Sequence, residues 1–228
     1  MVRSELVVSA RLLIALAALA GCNGKLIHLG DGRCARGQVQ ANEVLWTGDS
    51  WILMPGTLIP QVRDAARRAN AIGPNDDYVV AAAAAADMAA VAAQYDARQA
   101  GAIKVKVLMM DGGTWDTLVS NGSAASVDSV VNTFGQHLDK VASDGSVEDI
   151  VYILPPELPG IPGVAALRGP MRQICADSAV PCRFVDAQTV WAGHPEYTAA
   201  GGVFPNEQGA TALAGEIWAV MQRYCIAQ

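Results

Sequence analysis

Five short apolar runs alternate with five stretches of helical pattern from about Glu43 to the C-terminus, and that alternation leaves few folds open. The runs are Glu43–Gly48, Tyr78–Ala83, Ile103–Met110, Asp149–Leu154 and Cys182–Asp186. Each is apolar throughout rather than at every second residue, as strands covered on both faces are. Between and after them, Thr57–Ala71, Ala85–Ala100, Ala125–Ala142, Val164–Ser178 and Asn206–Tyr224 have helix length. In the third of these, Val127, Val130, Val131, Phe134, Leu138 and Val141 recur at helical spacing and form one apolar stripe. Strand and helix in strict alternation predict an α/β protein. The expected form is a three-layer α/β/α sandwich with a five-stranded parallel sheet and right-handed crossovers. Ligands of such sheets bind at the carboxyl ends of the strands, so the informative loops begin near Thr47, Ala83, Asp111, Pro155 and Ala187.

The N-terminus speaks to location rather than fold. Arg3 and Arg11 flank a weakly charged segment, Leu12–Ala20 is apolar, and Leu19-Ala20-Gly21-Cys22 follows. The apolar stretch is too short to span a bilayer. Leu-Ala-Gly-Cys resembles the bacterial lipoprotein signal, which implies removal of residues 1–21 and acylation of Cys22. Residues 22–42 are then anchor and linker, and residues 43–228 are the folded domain. The expected location is the cell envelope, held to a membrane by acyl chains. Asn23 after Cys22 resembles outer-membrane sorting. A plain secretory signal, leaving a periplasmic or secreted protein, is the alternative.

An oxidising compartment gives the other four cysteines a meaning. Cys34, Cys175, Cys182 and Cys225 allow three pairings. Cys175–Cys182, close in sequence across a helix-to-strand turn, and Cys34–Cys225 are favoured over the others. No CxxC or His–Cys spacing suggests zinc, and no cofactor is called for. The net charge of −6, with no basic run longer than Arg67-Arg68, argues against nucleic acid as a partner. A monomer is expected.

Gly48-Asp49-Ser50 follows the first strand directly and places a hydroxyl at the edge of the expected cleft. Alone it reads as a turn or an N-cap. Gly48-Asp49-Ser50-Trp51, then Asp111-Gly112-Gly113-Thr114-Trp115-Asp116 after the third strand, then Pro205–Ala214 opening the last helix, together resemble the SGNH, or GDSL, esterase-lipase family. The resemblance implies that family's flavodoxin-like fold. It also implies Ser50 as nucleophile, with oxyanion donors from the Ser50 N–H, from an N–H in Ala82–Ala85 with Ala84 the candidate, and from the third block. There Trp115 stands where the family has Asn. The Asp-x-x-His pair of the family falls on Gly201 and Phe204, so orienter and base are both absent from their expected places. The function implied is an SGNH-like envelope lipoprotein impaired in catalysis, with an acylated lipid or glycan as possible ligand. The alternative is an active serine esterase.

Three histidines are available to that alternative: His28, His137 and His194. His28 reads as a linker residue and His137 as the solvent-facing edge of the third helix. His194, in the loop after the last strand, is the candidate substitute base, with Asp186 or Glu196 to orient it. Asp49, Asp111 and Asp116 could gather a hard cation, but carboxylates at loop starts more often bind backbone N–H groups. Trp51, Trp115 and Trp191 could stack on a ligand, with core packing the commoner use.

Overall fold

The structure is a computed structural model, and it describes residues 39–53 and 57–227. Cys22, His28 and Cys34 lie outside the described residues. Five parallel strands form one sheet: β1 (Val44–Thr47), β2 (Val79–Val80), β3 (Val107–Met110), β4 (Asp149–Leu154) and β5 (Cys182–Asp186), in the order β2-β1-β3-β4-β5. Leu45 pairs with Val79 on one side and Leu108 on the other, and Leu108 in turn with Ile150. All residues of β1, β3 and β4 are buried, which is why these runs show no polar alternation.

The long helices are α2 (Leu58–Arg68), α3 (Met88–Gln99), α5 (Ala124–Asp144), α6 (Val164–Asp177) and α8 (Glu207–Arg223). Helix α2 packs on α8, while α3, α5 and α6 pack in series on one another, giving a layer on each face of the sheet. The chain steps outward from β1 to β2 and then crosses back to β3. The chain order thus switches direction between β1 and β3, and at such a switch point ligands of open α/β sheets bind outside the carboxyl ends of the strands.

Two strands are shorter than their sequence patterns. β2 ends at Val80, at the sheet edge, where the following alanines bury too little to hold a ladder. Ala81 and Ala83 still donate to the carbonyls of Trp46 and Gly48, at 2.8 and 3.1 Å. Ile103–Lys106 stays outside β3, with Ile103 exposed and Val105 inward. Three short helices have no counterpart in the sequence pattern: α1 (Ser50–Leu53), α4 (Thr114–Val119) and α7 (Ala187–Trp191). Each fills a loop at the carboxyl end of a strand, and none is long enough to establish a 3.6-residue period.

Cys175 and Cys182 form the expected disulfide between α6 and β5. Cys225 is also disulfide-bonded, and its expected partner Cys34 lies outside the described residues. Among the described residues no helix is long and apolar enough to cross a membrane.

His137 departs from its expected place. It is buried on the inner face of α5, edge-on to Tyr95 of α3 with ring centroids 5.4 Å apart. Neither ring nitrogen has a hydrogen-bond partner among the described residues. The helix turns this position toward α3 along with Phe134, Leu138 and Val141, so the apolar stripe is wider than its aliphatic members. Desolvation pushes its pKa down to about 4, against a smaller upward pull from Asp96 and Asp144. Unfolded, the ring takes a proton near its ordinary value of about 6.5. The contribution of His137 is thus complete above that pH and lost as pH falls toward 4, by on the order of 3 kcal/mol. Relative to wild type, His137→Phe should remove this loss of unfolding free energy between pH 6.5 and 4 in urea unfolding curves. An unchanged slope between pH 6.5 and 4 would contradict the assignment.

Candidate functional site

The switch point between β1 and β3 is built around two aspartates. Asp49 is nearly inaccessible, and its N–H donates to Asp111 Oδ1 at 2.9 Å. Its own carboxylate accepts the Trp51 N–H at 2.7 Å and the Trp115 N–H at 3.1 Å. One side chain thereby ties the start of α1 to the start of α4. Gly48 joins α3 through a reciprocal pair: its N–H donates to Gln94 Oε1 at 2.8 Å, and Gln94 Nε2 donates to its carbonyl at 3.0 Å. Asp116 Oδ2 accepts the Met88 N–H at 3.0 Å, fixing the entry to α3.

Burial raises the pKa of all three carboxyls, Asp111 most, since desolvation and the charge of Asp49 act together on it. Their contacts are to backbone N–H groups, as carboxylates at loop starts commonly make. Among the described residues no cluster of three or more acidic, histidine or cysteine side chains could hold a cation.

This frame sets Ser50 at the first position of α1, half-buried, with Oγ accepting the Ala85 N–H at 2.8 Å. The sequence assigns the donor in this loop to Ala84. The N–H that reaches the Ser50 hydroxyl itself is that of the next residue, Ala85. Ala85 has φ +59°, a left-handed conformation that costs a non-glycine residue on the order of 1–3 kcal/mol. The loop thus holds its donor in place without the glycine that the resemblance leads one to expect.

The tryptophans line walls. Trp51 is fully buried and Trp191 nearly so, with ring centroids 6.1 Å apart, and Trp191 Nε1 donates to Thr198 Oγ1. Trp115 is half-buried, and no short amide takes the place of the family's Asn. Phe204 packs partly against the core, and its carbonyl accepts the Ala199 N–H at 2.8 Å. Gly201 stands at φ +100° in the same turn.

His194 is half-exposed, stacked on Tyr197 with centroids 4.5 Å apart. Its Nδ1 meets Glu196 Oε1 at 2.8 Å, a hydrogen bond that lowers the Glu196 pKa. Of the two candidate orienters, then, Glu196 touches the imidazole. Asp186 is held elsewhere: it pairs with Arg172 at 2.6 Å and Arg168 at 3.2 Å, and accepts the Gln188 N–H to cap α7. No hydrogen bond among the described residues joins an imidazole to Ser50.

Gln94, Ala85 and Asn206 are parts of the site that residue patterns do not reveal. Asn206 caps α8 by accepting the Gly209 N–H, while Nδ2 donates to the Glu196 carbonyl, tying the helix to the His194 turn. Gln94 carries no local signal, because its partner is backbone distant in sequence.

The fold is thus an α/β sandwich on a five-stranded parallel sheet, with Ser50 beyond the carboxyl end of β1. The sequence matches no family model and no curated protein. Solved structures do match. A family 3 carbohydrate esterase from Clostridium thermocellum superposes with a TM-score of 0.64 at 13% identity, covering 81% of this chain and 98% of its own. A member of the lipolytic G-D-S-L family from Veillonella parvula gives 0.62 at 14%, over 79% and 98%. An acetyl esterase with a bound acetate ion gives 0.63 at 15%, over 81% and 99%. The fold of this chain is therefore the SGNH, or GDSL, hydrolase fold.

Proposed function

We propose that this chain is an SGNH-like envelope lipoprotein, anchored through Cys22, that retains the ligand cleft of an ester hydrolase while its ester hydrolysis is impaired. One observation carries the reading. Ser50 Oγ has a single hydrogen-bond partner among the described residues, the Ala85 N–H, and Phe204 stands where a base would be. A neutral hydroxyl with no adjacent base is a weak nucleophile. In serine hydrolases, loss of a triad member costs roughly 10⁴- to 10⁶-fold in rate. The ligand class that fits is a short acyl or acetyl group on a lipid or glycan. The structural neighbours that are acetyl and carbohydrate esterases support it.

A second reading has its own support. His194 and Glu196 form an imidazole–carboxylate pair in the loop before α8, the arrangement that orients a general base. On that reading Ser50 is acylated, and His194 takes its proton and returns it to the leaving group.

Hydrolysis of p-nitrophenyl acetate and labelling by a fluorophosphonate separate the two. The impaired domain should show neither signal above Ser50→Ala. Turnover that disappears in both Ser50→Ala and His194→Ala would overturn this reading in favour of the second.

A further inference from the structure

The Asp49–Asp111 pair has a charge problem that its hydrogen bonds do not solve. Asp111 is wholly inaccessible and Asp49 almost so, and the two side chains lie within hydrogen-bonding reach of each other. Among the described residues neither has an ion-pair partner. The titratable group facing the pair is Tyr152 of β4, which also feels Asp116 of α4 and whose hydroxyl donates to the Gly112 carbonyl at 2.9 Å. Gln94 of α3 is uncharged and engaged with Gly48. Two carboxylates in contact, in dry surroundings without a cation, do not both ionise.

We infer that Asp111 stands as a neutral carboxylic acid at neutral pH, sharing its proton with the Asp49 carboxylate, and that this pair is the positioning device for Ser50. Geometry decides which partner holds the proton. Asp49 accepts N–H donors on both oxygens, Trp51 on Oδ1 and Trp115 on Oδ2, which favours the anion there. Asp111 has the Ile52 N–H near its carboxyl, but its Oδ2 is buried without a well-formed hydrogen bond among the described residues. A proton on Asp111 converts that orphan acceptor into a donor for Asp49. The Asp49 N–H held by Asp111 Oδ1 is one residue from Ser50, so the acid grips the loop directly as well as through Asp49.

The sign of the pH effect follows. Unfolded, Asp111 gives up its proton above about pH 3.9, whereas the folded protein keeps it. Stability contributed by the pair is present below that pH and declines as pH rises. The pair by itself raises the unfolding equilibrium constant about tenfold per pH unit until the folded acid ionises, an effect that His137 opposes between about pH 4 and 6.5 and that stands alone above that window. Asp111→Asn places an uncharged amide, donor and acceptor together, in the same space.

The test is carbon NMR of the full-length protein labelled at aspartate carboxyl carbons, with urea unfolding across pH. One aspartate should remain protonated at pH 7, and its resonance should be absent from Asp111→Asn. That variant should fold at least as stably as wild type at pH 7 and lack the tenfold-per-unit slope. The Ser50 and Ala85 amide resonances should move with the acid's titration in wild type and stay fixed in the variant. A spectrum in which every aspartate is ionised at pH 7 would overturn the inference, and so would an unchanged pH slope in Asp111→Asn. Should the variant not fold, the wild-type spectrum decides alone. No turnover is read, so the result stands apart from whether Ser50 hydrolyses esters.

Discussion

Phe204→His combined with Trp115→Asn is expected to raise hydrolysis of a short p-nitrophenyl ester by roughly 10²- to 10⁴-fold over wild type. The argument is local. Ser50 already occupies the first turn of α1 with the Ala85 N–H at its oxygen, so on the proposed reading the hydroxyl is in place. Among the described residues no imidazole is hydrogen-bonded to that hydroxyl, and Phe204 sits in the block where the resembled family carries its base. An Asn at position 115 adds a short amide donor where an indole plate now stands, and one oxyanion donor is worth about 10²- to 10³-fold. Introducing Ser50→Ala into the double variant should return the rate to background. Adding Gly201→Asp should help less than a triad would suggest. Gly201 has φ +100°, so an aspartate there strains the turn before it can orient anything, although no neighbouring atom blocks its Cβ. A double variant with no Ser50-dependent gain would count against the proposal that a base absent from position 204 limits hydrolysis at Ser50.

The fold was legible because its signals are long. β4 and β5 match their apolar runs end to end, and the five long helices follow the periodic segments to within a few residues. Legibility failed where short range gave way to tertiary contact. The alanine run after β2 looks like strand continuation, yet it becomes the loop that presents the Ala85 N–H, because an edge with small side chains gains little from staying in the ladder. His137 looked like a polar edge to an apolar stripe, and only packing against Tyr95 shows that the stripe includes it. The serine was legible from its block. Its surroundings were not: the hydrogen bonds from Gly48 to Gln94, from Asp49 to Asp111 and from Ala85 to Ser50 join residues more than thirty positions apart. The choice between Asp186 and Glu196 as partner of His194 turned on two arginines of α6 whose reach no sequence pattern announces.

Gly48→Ala is expected to destabilise the protein by roughly 3–5 kcal/mol, read as a lower urea midpoint with little change in m value. A methyl group built on Gly48 lies 1.8 Å from Asp111 Oδ1 and 2.9 Å from Ile52 Cγ2. Both neighbours are held. Asp111 is enclosed on all sides and grips the Asp49 N–H through that same oxygen, while Ile52 is on the buried side of α1. Relief therefore requires either moving the carboxyl that positions Ser50 or rotating the backbone at Gly48, whose φ of +156° side chains rarely adopt. The second route breaks the paired bonds to Gln94, and with them the link between β1 and α3. Asp111→Gly in the same chain opens the space but leaves the Asp49 N–H without its acceptor. The double variant should thus recover only part of the loss. If Gly48→Ala alone unfolds at the wild-type midpoint, the close approach of β1 to Asp111 is not a constraint on this fold, and the glycine at the head of the Ser50 turn needs another explanation.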